Sequence, residues 1–208
     1  MLQTSTIEPR TLSLLRTLME LPYLKDFHLV GGTALALKYG HRVSVDLDLF
    51  GGNGYDKDFI IESLKLSFGL NFIDSQSKAK WAIFCYINNI KVDIIHYKQP
   101  FLIQPETIEG IRLYNELDIF AMKINAILGR GKKKDFWDIA ELLKHYTVQE
   151  CISAYTQKYP SQQLLISIPN ALTYFEDADE SEEPVSLKGQ TWESVKKTIQ
   201  RKVNEFLK

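Results

Sequence analysis

Asp46 and Asp48 stand two residues apart in "VSVDLDLF" (residues 43–50), where apolar and polar residues alternate with the period of a β-strand. On such a strand Val43, Val45, Leu47 and Leu49 share one face and Ser44, Asp46, Asp48 and Phe50 the other. The two carboxylates then lie within about 7 Å of each other. Charges of one sign at that spacing repel and raise one pKa unless a cation, a basic partner or water offsets them. Mg²⁺ suits the pair, because it takes hard oxygen ligands and keeps room for water and phosphate oxygens. Asp93, within "IKVDIIHY" (residues 90–97), offers a third carboxylate, on a face shared with Lys91 and Ile95. Three carboxylates permit one or two ions and a metal-assisted in-line displacement at phosphorus.

Gly31 and Gly32, upstream of the acidic pair, let backbone amides approach a ligand closely, and the helix start that follows adds N–H donors for a phosphate. The plain alternative is a tight strand-to-helix turn. In "TALALKYG" Thr33 is placed to cap the helix and Gly40 to end it. Glycines and carboxylates together make a nucleoside triphosphate the predicted ligand.

The elements that must position these residues are legible as periods and punctuation. Leucines recur at helical spacing from Thr11 to Leu21 behind Pro9, "FHLV" is a short strand, and residues 58–68 form a helix. "KWAIFCYI" and "IKVDIIHY" pair as a hairpin through Asn88 and Asn89, which tolerate the left-handed conformation that a two-residue turn demands. After Pro100 and Pro105 helical patterns take over, which places a boundary near residue 105, between a first region at residues 1–105 and a mainly helical region at residues 106–208. "EDADESEEP" reads as an acidic surface loop before a last helix around residues 191–207. The predicted fold class is α/β (α+β), a small mixed sheet flanked by helices and followed by a helical region.

Composition bounds the partners without choosing them. The chain has 208 residues, 45% hydrophobic, enough for a substantial core. With 25 basic against 26 acidic residues its net charge is −1, so no global charge announces a polyanion binder, though local patches remain free to act as one. "RGKKK" (residues 130–134) is such a patch, either a solvated loop or a site for nucleotide or RNA phosphates. Cys85 and Cys151 read as buried reduced thiols, and His28, His41, His96 and His145 lack metal-ligand spacing and read as structural. Without an apolar leader or a run of about 20 apolar residues, no membrane association and a cytoplasmic location are expected.

The run "LVGGTALALKYGHRVSVDLDLF" together with "MKINAILGRGKKKDFWDIAELL" resembles the AbiEii/AbiGii toxin family, within the DNA polymerase beta-like nucleotidyltransferase superfamily. The resemblance implies a Mg²⁺-dependent transfer of NMP from an NTP to an acceptor hydroxyl, possible acceptors including tRNA or another RNA. It also implies a nucleotidyltransferase core at residues 1–105 with the helical region at residues 106–208 completing the nucleotide site, and a toxin of a toxin–antitoxin or abortive-infection system, with a cognate antitoxin. By the same resemblance Asp46, Asp48 and Asp93 hold metal, and Gly31, Gly32 and Thr33 face phosphate. Arg42 and Ser44 flank the site, Lys123 touches nucleotide phosphate, and Asp135 belongs to the last motif. Read from the residues alone, Lys123 snorkels from an apolar helix, while Asp135 caps a helix or orients Lys123 or Arg130; Asp138 lies one turn further on. Two alternatives stand beside this reading: a catalytically silent nucleotide- or RNA-binding module on the same scaffold, and a glycosyltransferase using Asp-x-Asp for a nucleotide sugar.

Overall fold

Pro9 at the first helical position and apolar residues at helical spacing set α1 (Pro9–Glu20), which buries Leu14, Leu15, Leu18 and Met19 and exposes Arg16 and Glu20. The computed structural model describes residues 1–52, 54–129 and 131–208. The chain sorts into two units, the first made of residues 1–38, 44–98 and 105–114 and the second of residues 39–43, 99–104 and 115–208.

The first unit carries β1 (Phe27–Leu29), α2 (Gly31–Tyr39) up to Lys38, β2 (Leu47–Gly51), α3 (Lys57–Phe68), β3 (Phe72–Asp74), β4 (Ala82–Ile87), β5 (Ile90–His96), β6 (Glu106–Ile108) and β7 (Ile111–Leu113). The strands form one sheet in the order β3-β4-β5-β2-β1-β7-β6. It is mixed, with β2 parallel to β5 and β1 parallel to β7, and the remaining neighbours antiparallel. Asn88 and Asn89, at φ 52° and 62°, close the β4–β5 hairpin as their residue type predicts. Leu47, Leu49, Ile83, Cys85, Val92 and Ile94 are buried on one face, whereas Asp48, Phe50, Phe84, Tyr86 and Asp93, offset by one residue, share the other.

The alternation in residues 43–50 outruns the strand. β2 begins only at Leu47, because the amides of Val43 and Ser44 bond outside the sheet, to the carbonyls of Val185 and Thr6. Val45 is therefore 60% exposed instead of sharing the buried face with Leu47, and Asp46 lies just ahead of the strand. Arg112, on β7, donates from Nε to the carbonyl of Phe27 (2.9 Å), from Nη1 to Met19 (2.7 Å) and from Nη2 to Leu24 (2.9 Å), tying the end of α1 to the sheet.

The second unit holds α4 (Glu116–Gly129), α5 (Lys133–Leu142), α6 (Val148–Lys158), α7 (Ile168–Thr173), α8 (Glu176–Asp179) and α9 (Trp192–Phe206). Phe136, Trp137, Phe175 and Trp192 form its aromatic centre, the Trp137 and Trp192 rings stacked with centroids 6.0 Å apart. The acidic run is not wholly a loop: its first turn is α8, with Ala178 buried and Asp179 accepting from Trp192 Nε1 at 2.5 Å. Burial of both thiols matches their sequence reading, and it pushes Cys85 up to about 12 and Cys151 higher still.

Arg112→Lys keeps the charge but cannot reach three carbonyls with one ammonium. Urea unfolding should show a loss of about 2 kcal/mol, the scale of stranding one or two buried acceptors. An unchanged unfolding midpoint would refute the tie.

Candidate active site

In the first unit, α2 begins directly at Gly31, at φ 70°, so Thr33 lies inside the first turn and does not cap it. The Thr33 hydroxyl instead donates to the carbonyl of Asp46 and accepts from Ser44 Oγ at 2.8 Å, which fixes the chain just before β2 to the start of the helix. Gly40, at φ 64°, ends α2 as its type predicts. A Cβ on Gly31 would stand 2.8 Å from Asp48 Oδ2, so only glycine lets that carboxylate lie against the first turn of α2.

Asp48 and Asp93 are direct register partners on the parallel strands β2 and β5, with backbones about 4.8 Å apart. On the far side of Asp93 stands Phe84. Lys91, two residues along the same face, donates to Asp93 Oδ2 at 2.7 Å. Asp93 Oδ1 is buried with no hydrogen-bond partner among the described residues. Burial pulls the Lys91 pKa down, but the hydrogen bond and charge of Asp93, with the charges of Asp46 and Asp48, outweigh it and the pKa is raised. Asp46, half-buried ahead of the strand, enters through its carbonyl bond to Thr33. Among the described residues no group of three or more His, Cys, Asp or Glu side chains converges as a metal cluster. The sheet thus adjoins two of the three predicted carboxylates.

Lys123, Asp135 and Arg42 meet in the second unit around a residue the sequence reading placed only on a shared helix face, Asp138. Its Oδ1 accepts from His41 Nε2 (2.8 Å) and Arg42 Nε (2.7 Å), and its Oδ2 from Arg42 Nη2 (2.9 Å) and Lys123 Nζ (2.6 Å). Lys123 Nζ also donates to Asp135 Oδ1 at 2.9 Å. All five side chains are buried. Lys123 does not snorkel, and Asp135 does not cap α5, whose N-cap is Lys132. Of the basic run, Lys132 is exposed, Lys133 lies over the Trp192 ring, and Arg130 falls outside the described residues. Burial alone would raise the Asp138 pKa, yet Arg42, Lys123 and the His41 hydrogen bond hold it well below the usual carboxylate range. Lys123 is the counterpart: burial lowers it, Asp135 and Asp138 more than compensate, and its pKa is raised. Two signals were readable in principle, the i,i+2 spacing of Lys91 and Asp93 and the i,i+3 spacing of Asp135 and Asp138; neither names its partner.

Gly31→Ala introduces both an unfavourable φ and a clash with Asp48, and chemical denaturation should report a loss of about 2 kcal/mol. Asp138→Asn leaves Arg42 and Lys123 without their shared charge and should cost about 3 kcal/mol at neutral pH. Because the folded-state pKa of Asp138 is depressed, the wild-type advantage is complete above the ordinary value of 3.8 and shrinks as pH falls below it through the folded pKa. Stability curves of the two proteins that stay parallel down through that range would contradict the assignment.

Against known proteins, a family model described as "Nucleotidyl transferase AbiEii toxin, Type IV TA system" matches residues 13–80 and 85–205. An uncharacterized protein of Aquifex aeolicus is 35% identical over 207 residues, covering 93% of this chain and 94% of that one. JHP933 from Helicobacter pylori aligns with a TM-score of 0.55 at 16% identity over 96% of this chain and 92% of its own. MenT4, a nucleotidyltransferase toxin from Mycobacterium tuberculosis, aligns with a TM-score of 0.56 at 15% identity over 93% of this chain and 84% of its own. At such identities the two structures speak for the fold, while the family model spans nearly the whole chain: the protein belongs to the nucleotidyl transferase AbiEii toxin family of type IV toxin–antitoxin systems and is a nucleotidyltransferase.

Proposed function

We propose that the protein transfers a nucleoside monophosphate from an NTP to a hydroxyl of an RNA acceptor, with Mg²⁺ held at Asp48 and Asp93 and assisted by Asp46. The observation that carries this reading is the in-register pair of carboxylates beside a helix start that has no side chain in the way. The donor set fits a hard cation: oxygen ligands on adjacent strands, one of them, Asp93 Oδ1, buried with no hydrogen-bond partner among the described residues. When bound, the ion supplies positive charge to the phosphate oxygens and acidifies the attacking hydroxyl.

The chain's own residues supply position. Gly31 and Gly32 open the backbone to the phosphates, and the Thr33–Ser44 hydroxyl pair holds that opening against Asp46. Lys91 holds Asp93 in place through its 2.7 Å ion pair. Lys123 is spoken for by Asp135 and Asp138, so in this proposal Lys123, Asp135 and Arg42 are positioning residues and not phosphate contacts. The family's description as a type IV toxin supports extending the proposal to harm to the host cell through the modified acceptor, countered by an antitoxin. Family membership displaces the glycosyltransferase alternative. A silent binding module keeps one observation in its favour, the Lys91 ammonium already seated on Asp93.

The test is incubation with each α-labelled NTP, Mg²⁺ and total RNA. Asp48→Asn and Asp93→Asn should each cut label transfer about 100-fold or more, the scale of losing a preorganised charge contact to a transferring phosphoryl group. A chelator should abolish transfer. Nucleotide binding without transfer to any acceptor would establish the silent module instead, and full transfer by Asp48→Asn would remove the carboxylate pair from the chemistry.

A further inference from the structure

The carboxylates share their sheet face with aromatic side chains that the reaction itself does not use. Cross-strand register sets Phe84 beside Asp93 and Tyr86 beside Lys91. Tyr86 is 44% exposed, and Trp81, whose ring meets that of Phe84 edge-on at 6.3 Å, is 54% exposed. With Phe84 they form a contiguous aromatic patch, the kind of exposed surface that marks an interaction site.

The platform is firm. The Trp81 carbonyl accepts from the His96 amide at 2.8 Å, and Lys57 Nζ donates to the carbonyls of Ser77 and Ala79, at 2.7 Å and 2.9 Å, pinning the loop that leads into Trp81. That loop presents Lys78 and Lys80 to solvent, and Lys91 stands next to Tyr86. Aromatic faces interleaved with ammonium groups complement nucleobases joined by phosphates. Phe84 and Tyr86, two residues apart on β4, stand about 7 Å apart on this face, and Trp81, in the turn just before the strand, extends the row through its ring contact with Phe84, which is more than the base of one NTP covers.

We infer that this sheet face, through Trp81, Phe84 and Tyr86 with Lys78 and Lys80, is a stacking subsite for an unpaired nucleic-acid strand whose end reaches Asp48 and Asp93. The inference rests on the transferase reading for what happens at that end. Its physical content, preference for a single strand over a duplex, is separate: bases must be unstacked from a partner to lie on the rings.

The experiment is fluorescence anisotropy with a labelled RNA of about 12 nucleotides, single-stranded or annealed to its complement, at one fixed low salt concentration. Wild type should prefer the single strand, and Trp81→Ala and Tyr86→Ala should each weaken binding about tenfold. Trp137 and Trp192 are only 0% and 8% exposed, so strand binding should quench the emission of Trp81. Trp81→Phe should retain most of the affinity and lose the quench, which separates stacking from a folding defect. Wild-type affinity in both alanine variants, or equal affinity for the duplex, would overturn the inference. So would altered sedimentation of the alanine variants with unchanged RNA binding, which would mark the face as a protein contact. Label transfer by wild type with strand binding indifferent to Trp81 and Tyr86 would sink the subsite and leave the transferase standing. Strand binding that depends on both rings, with no acceptor labelled, would do the reverse.

Discussion

Two carboxylates directly opposite each other on neighbouring strands are a destabilising pair, and the first unit is arranged around keeping Asp48 and Asp93 in that position. Lys91 sits on one of them. The missing side chain of Gly31 gives the other its place against α2. Thr33 and Ser44 fasten the incoming chain so that β2 starts at Leu47 and carries Asp48 onto the same face as Asp93. A one-residue slip of β2 against β5 would turn Asp48 into the apolar side, where Leu47, Leu49, Val92 and Ile94 are essentially without solvent exposure. The hydrophobic face therefore fixes the geometry of the polar one.

The second unit solves a different problem with the same physics. Short segments from earlier in the chain, residues 39–43 and 99–104, belong to it and are held by buried charge. Asp138 receives His41 and Arg42 across 97 and 96 residues of sequence. Asp118 accepts from the amides of Leu102 and Ile103 and pairs with Lys158, which also donates to the carbonyl of Pro100. Such groups are tolerated in an interior only when fully partnered, and removing one partner strands the rest, so each hub fixes where its segment must lie.

Functionally, the two units divide the family's residues between them. Gly31, Gly32, Asp48 and Asp93 reside in the sheet unit, whereas Arg42, Lys123 and Asp135 reside in the helical unit as members of a buried ion network. Buried and paired as they are, Arg42 and Lys123 hold structure in place. Lys78 and Lys80 in the sheet unit and Lys132 in the helical unit are exposed instead.

Much of the fold was legible along the chain. Period-two alternation and Asn88-Asn89 act within a few residues, so the hairpin and the face shared by Asp48 and Phe50 could be read from residue types. What failed were readings that extended a local signal past a distant hydrogen bond. Alternation through Val43 and Val45 promised a longer strand, but the amides there bond to Val185 and Thr6. Thr33 and Asp135 looked like caps, yet one bonds to Asp46 and the other to Lys123. Arg112 showed no signal, because its acceptors are backbone carbonyls that carry no residue identity. By itself the sequence determined the β4–β5 hairpin, the first and last helices and which acidic and glycine residues lie close along the chain, but not β6 and β7, where helical patterns were expected. Only the tertiary structure decided which carboxylates adjoin and which lysine is consumed, since a charge's partner is set by three-dimensional proximity and burial and not by spacing along the chain.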